Sequence, residues 1–156
     1  MRQDYENAEK AALKSIEVSP SYADGYGLLA LIYNSTGHPE KAIDYVKKGM
    51  RLNPYYTWDY LYNLGRAYVE TDNLDEGIAA LEKARDRNEN AVPVRIHLAV
   101  AYVRAGRLED AEWEVEQIQV LNPGETVSHT RKSYPILDKA EKERLLDDLR
   151  KAGMPE

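Results

Sequence analysis

Histidine, carboxylate, arginine and tyrosine side chains are what this sequence has for chemistry, because its 156 residues include no cysteine. Without a thiol there is no disulfide framework, thiolate metal site, iron–sulfur cluster or cysteine nucleophile, and a reducing compartment fits. His38, His97 and His129 fall in separate segments, at a helix-to-helix turn, on a helix and in the tail. A shared metal site would need a convergence that no spacing indicates, so each reads as a solvated or capping histidine. The acidic pairs Asp75/Glu76, Glu109/Asp110 and Asp147/Asp148 sit where first turns or exposed faces of helices are expected, and negative charge there favours the helix dipole or simply solvates. No Gly-rich phosphate loop, Gly-x-Ser-x-Gly elbow or His-Glu-x-x-His helix occurs. The sequence therefore predicts no enzyme, no cofactor and no metal.

Composition narrows the partners. Hydrophobic types make up 43% and charged types 31%, with 27 acidic against 21 basic residues for a net charge of −6. That is enough apolar material for a folded core. The acidic balance disfavours nucleic acid, whose sequence-independent grip comes from clustered Lys and Arg. No apolar run approaches the roughly 20 residues that cross a bilayer, and residues 1–10 are charged rather than signal-like. The expectation is a cytoplasmic protein with no membrane and no nucleic-acid partner, acting on another protein or peptide.

The elements that must position these residues repeat. Tyr33, Tyr68 and Tyr102 are each preceded four positions earlier by Leu29, Leu64 or Leu98, and each leucine is followed by Ala30, Gly65 or Ala99. Small residues recur at Ala8, Ala42, Gly77 and Ala111, and prolines at Pro20, Pro54 and Pro123, with Glu89 breaking that series. Within each period apolar residues lie three and four apart, which is one face of a helix. Gly37 with Pro39, Asn73, and Gly106 sit where a first helix must stop and a second begin, since Gly and Asn accept a left-handed helix end and Pro fits the next first turn. Each period is a helical hairpin whose helices approach closely at the small residues.

These residues resemble the tetratricopeptide repeat family, through Leu29, Ala30, Tyr33, Ala42, Val46, Gly49 and Pro54 and their equivalents in two further registers. The family's tryptophan position holds Tyr26, Leu61 and Arg95, and aliphatics replace its phenylalanine. The resemblance implies an all-α, right-handed α-solenoid of helix-turn-helix repeats in one domain, 1–156. Residues 4–20 form the second half of a repeat, 21–54, 55–90 and 91–123 form full repeats, and 124–156 form a C-terminal capping segment. The chain starts in mid-repeat, so Met1 reads as a cut boundary, and the first helix must leave a face open or act as a cap through Ala8, Ala11 and Ala12. In the tail, residues 127–134 suit a short helix ending at Pro135. Asp138 with Glu141 reads as a capping box opening a helix that Gly153 closes, with Met154 touching Leu149. Its stripe of Leu145, Leu146, Leu149 and Ala152 is expected to cover the open end of the last repeat.

The ending from Arg144 to Glu156, with the Leu-Gly-Arg-Ala-Tyr run at 64–68, is similar to modules attached to bacterial nucleotide-cyclase-like proteins and winged-helix regulators. It departs from them at Pro135, Ile136, Leu137, Asp138 and Lys139. That likeness implies a regulatory module of a larger bacterial signalling protein, with a partner in the same chain or in another. In the family the first helices line a concave groove. Carried over, the lining is Gly27, Leu31 and Asn34; Tyr62, Asn63, Arg66 and Glu70; and Ile96, Val100 and Arg104. Arg66 and Arg104 either hold a partner's carboxylate with paired hydrogen bonds or pair with Glu70 and neighbouring acids. Leu31, Gly27 and Val100 do not supply the Lys and Asn set that clamps a terminal carboxylate in chaperone-type grooves. The cluster of Tyr55, Tyr56, Trp58, Tyr60 and Tyr62 is either packing or a second contact patch. The alternative function is a homodimer formed through the terminal helices.

Overall fold

The computed structural model describes residues 2–156, so Met1 and the reading of it as a boundary lie outside the described residues. These residues form α1 (Arg2–Val18), α2 (Ala23–Thr36), α3 (Pro39–Leu52), α4 (Trp58–Glu70), α5 (Leu74–Arg87), α6 (Val92–Arg104), α7 (Leu108–Leu121), α8 (Val127–Ser133) and α9 (Lys139–Lys151), with no strand among them. Each of α1 to α6 packs on the next, most extensively within the hairpins α2/α3, α4/α5 and α6/α7. In addition α2 touches α4 and α4 touches α6. These three make an inner layer, with α1, α3, α5 and α7 outside it: an all-α solenoid.

The turn inside each hairpin is built identically. The carbonyl of Tyr33, Tyr68 or Tyr102 accepts the amide five residues on, from His38, Asn73 or Arg107, at 2.9, 2.9 and 2.8 Å. This requires a left-handed residue just before that amide, supplied by Gly37 (φ 81°), Asp72 (φ 60°) and Gly106 (φ 76°). In the middle hairpin the left-handed residue is thus Asp72, and Asn73 opens α5 from an ordinary backbone conformation. Short aspartate tolerates that region better than most side chains because it bonds locally.

A second series closes the outer helices. Asn53, Asn88 and Asn122 end α3, α5 and α7, and their side-chain oxygens accept the amides of Tyr55, Asn90 and Gly124 at 3.1, 3.3 and 3.3 Å. Each is an Asx turn that redirects the chain into the next repeat.

Small residues govern how closely the layers meet. A Cβ on Gly65 would stand 2.6 Å from Leu81 Cγ, and one on Gly77 would stand 2.7 Å from Val69 Cγ2. Ala30, Ala42, Ala99 and Ala111 are fully buried at the corresponding crossings. Burial at roughly 25 cal/mol per Å² of apolar surface makes these interfaces the main source of stability.

The C-terminal stripe is buried as expected, and it lies on the inner side: α9 packs on α6 and α8, with Leu145, Leu146, Leu149, Ala152 and Met154 all covered. On the outer helix α7, Trp113, Val120 and Leu121 stay exposed. Half of the capping box forms, Asp138 accepting the Glu141 amide at 2.9 Å, while Glu141 turns its own carboxylate to Arg104 and Arg144. The helix closes as expected, Met154 N–H donating to the Leu149 carbonyl at 3.0 Å beyond a left-handed Gly153.

Candidate partner-binding groove

The inner faces of α2, α4 and α6 carry the predicted lining residues, and most of them are already engaged. Asn34 and Arg66 are each 1% exposed. Asn34 donates to the Asn63 carbonyl at 2.9 Å; Asn63 donates to the Asp59 carbonyl one turn back. Arg66 donates through Nε to Glu70 Oε1 at 3.1 Å and through Nη2 to the Asn34 carbonyl at 3.0 Å. Burial pushes the Glu70 carboxyl above the usual carboxylate range, with Arg66 opposing it. Of the two roles open to Arg66, the structure realises the pairing with Glu70, and the same arrangement bolts α2 to α4.

At the far end Arg104 is shared by two acids of α9, Asp148 at 2.8 Å and Glu141 at 3.2 Å. Asp148 is therefore buried and paired, not the solvated acid expected from its place in an Asp147/Asp148 pair. Val100 and Ile96 are 1% exposed. Leu31 is exposed and Gly27 partly so, with Tyr60 approaching where a Cβ on Gly27 would stand.

The segment between α8 and α9 covers the inner face further. Residues 134–138 run across the inner face: the Tyr134 hydroxyl meets the Tyr62 hydroxyl at 3.4 Å, the Pro93 carbonyl at 3.3 Å and His97 Nδ1 at 3.4 Å. Leu137 N–H donates to the Ser35 carbonyl at 2.9 Å, and Ile136 is buried. His97 lies beneath, 2% exposed, with Tyr62 edge-on at 5.3 Å. It is not the solvated or capping residue expected. Burial, aided by the charges of Arg66 and Arg104, pushes its imidazole down to about 3, so it is neutral. Its Nδ1 meets the Pro93 carbonyl at 3.1 Å; a carbonyl only accepts, so Nδ1 carries the proton and Nε2 is a bare acceptor. His97 Nε2, Asn34 Oδ1 and Ser35 Oγ are buried without hydrogen-bond partners.

Beside the strap a cavity of about 400 Å³ remains open, walled by Leu31, Trp58, Tyr62, Val92, Pro93, Ile96, Tyr134 and Pro135, with Arg66 and Glu125 among its polar members. The aromatic cluster thus divides. Tyr60 is core and Tyr56 packs against it, Tyr55 projects into solvent, and Trp58 and Tyr62 face the cavity. A more polar recess of about 370 Å³ lies between α1, the α2/α3 turn and the strap.

Sequence reasoning passed over a buried charge cluster behind the groove. Glu114, 0% exposed, accepts from Arg85 at 2.5 Å and from Arg95 at 2.7 Å, and both arginines stack near Trp113. It clamps α5, α6 and α7 together. Arg95 in the family's tryptophan position, with an acid one hairpin helix away, was the available signal. His129 is exposed and pairs with Glu125, and His38 is the exposed residue before α3. No group of three or more His, Asp or Glu able to hold a metal ion occurs among the described residues, and no helix there is long and apolar enough to cross a membrane.

Stacked helical hairpins with an inner groove define a repeat scaffold of the protein-interaction type, and comparisons place it. The model for the tetratricopeptide repeat matches residues 62–124, and the one described as anaphase-promoting complex, cyclosome, subunit 3 matches residues 1–84, more than half of the chain. The chain belongs to the tetratricopeptide repeat family. None of the curated proteins matches it. Among solved structures, MamA is similar with a TM-score of 0.70 at 22% identity, over 97% of this chain and 88% of that one. YrrB, described as a TPR protein with an unusual peptide-binding site, gives 0.65 at 22% over 96% and 77%. A thermophilic TPR protein of Thermus thermophilus gives 0.65 at 21% over 92% and 72%. At these identities the likeness concerns the fold.

Proposed function

We propose that this chain is a non-enzymatic interaction module that holds a segment of a protein partner against the inner faces of α2, α4 and α6, seating an apolar side chain in the cavity beside Trp58 and Tyr62. The observation that carries this reading is the cavity itself: apolar walls, aromatic side chains and a few polar groups at the edge are what a recognition pocket needs. Tyr62, Leu31 and Ile96 supply the contact, while Asn34, Asn63, Arg66, Glu70, Val100 and Arg104 hold its shape. The C-terminal likeness to bacterial regulators supports a cytoplasmic regulatory role within a larger signalling protein, with the partner in the same chain or a neighbouring one.

A photo-crosslinking residue at Leu31, on the groove, beside one at Val120, on the outer helix, tests the reading in cells of the source organism. A partner adduct formed from position 31 and absent from position 120 is expected; adducts only from position 120 would move the working surface outside.

A second reading, self-association, draws on Leu13 and Val18, which stay exposed on α1. Ala12 and Leu149 are core residues, so a dimer would have to use Leu13 and Val18 without the α9 stripe. Sedimentation at rising concentration tests it: a monomer throughout removes this reading, and a dimer lost on Leu13→Glu supports it.

A further inference from the structure

The strap at residues 134–138 is the one stretch of chain already lying in the groove, and its contacts there describe a ligand. Its aromatic ring enters between Tyr62 and His97. Its backbone donates one amide, Leu137 N–H to Ser35. Its aliphatic Ile136 is buried, and the acid Asp138 ends beside the Gly37 turn. Yet the fit is incomplete. His97 Nε2 and Asn34 Oδ1 are acceptors left bare, and a buried acceptor without a donor carries the full cost of its lost hydration. The strap offers few donors, since Pro135 has no N–H. On one flank the cavity stays open to solvent. Lifting these five residues costs the Lys142 Nζ bond to the Tyr134 carbonyl and the Asp138 cap of α9 as well as the groove contacts, but it leaves in place the apolar anchors, α9 through Leu145, Leu146 and Leu149 and α8 on α9 through Val127 and Thr130.

We propose that residues 134–138 are a detachable strap that keeps, in cis, the place of an extended partner segment with the same order of groups: an aromatic residue, then aliphatic residues, then an acid. This rests on the groove reading above and adds its regulation: the groove is closed until a segment of this chemistry competes the strap away. Affinity for the partner is lowered by the fraction of time the strap is down.

The test uses a fluorescein-labelled peptide of residues 132–140 as probe and anisotropy as readout, on the full chain and on Leu137→Pro, which removes the amide donated to Ser35. Binding at least about tenfold tighter to Leu137→Pro than to wild type is expected, with unchanged helical circular dichroism. On wild type, hydrogen exchange at the Leu137 amide should quicken when excess peptide is added while amides of α6 stay protected. Equal affinity for the two chains, with Leu137 exchange indifferent to peptide, overturns the strap; if the Leu31 cross-link persists, the groove reading survives that failure. A concentration-dependent dimer of Leu137→Pro that the peptide dissolves would assign the occupant to a second copy and overturn a separate partner.

Discussion

At the scale of single residues, the inner face is governed by charges that have left water. Arg66 and Glu70 are a buried pair, and breaking such a pair leaves one charge uncompensated, costing about 3 to 5 kcal/mol. Arg66→Met should therefore lower the urea midpoint strongly, whereas Arg66→Met with Glu70→Leu should recover much of the loss. His97 gives a pH signature. Its folded pKa, about 3, lies below the unfolded 6.5, so as pH falls through 6.5 the unfolded chain binds a proton that the folded chain refuses. Its contribution is complete above that pH and declines toward pH 3, by up to about 1.4 kcal/mol per unit. His97→Phe should flatten that slope relative to wild type in urea titrations between pH 6.5 and 4, a range set by the same shift; parallel curves would refute the assignment. The Arg66–Glu70 pairing was one of the two roles legible in the residues; the burial of His97 was not. His97 and Asp148 are polar types that ordinarily sit in water, and what buries them is chain arriving from far away in sequence.

Helices and turns were far more legible, because their signals are local. The three-and-four spacing, the recurring Tyr and the small crossings all describe contacts within one hairpin or between neighbours. The Asx turns at Asn53, Asn88 and Asn122 were equally present at the same period, two of them beside the prolines Pro54 and Pro123 that drew the reading instead. What the pattern could not convey was the course of residues 124–138, whose docking on the inner face depends on no period at all. Two predictions belong here. Gly65→Ala forces a Cβ to within 2.6 Å of Leu81, overpacking that should cost about 1 to 3 kcal/mol and lower the thermal midpoint. Asp138→Ala removes the acceptor for the Glu141 amide and should cost about 1 kcal/mol, seen as faster exchange confined to the first turn of α9.

Across the whole molecule, the solenoid is asymmetric between its faces: an inner layer in mutual contact, covered by α9 at its α6 end, and an outer layer with apolar side chains in the open. Disturbing that cover is a global test. Arg104→Ala strips Asp148 and Glu141 of their shared cation; the expected result is loss of protection throughout α9 with α2 to α5 unaffected, read by hydrogen exchange. This asymmetry also has an optical consequence. The chain has two tryptophans, and the fold puts one on each side: Trp58 walls the inner cavity and Trp113 lies against two guanidinium groups on the outside. Indole emission can thus be split, with Trp58→Phe silencing the concave signal and Trp113→Phe the convex one. An iodide quencher would then tell, without any label, which side of the wall an incoming molecule shields.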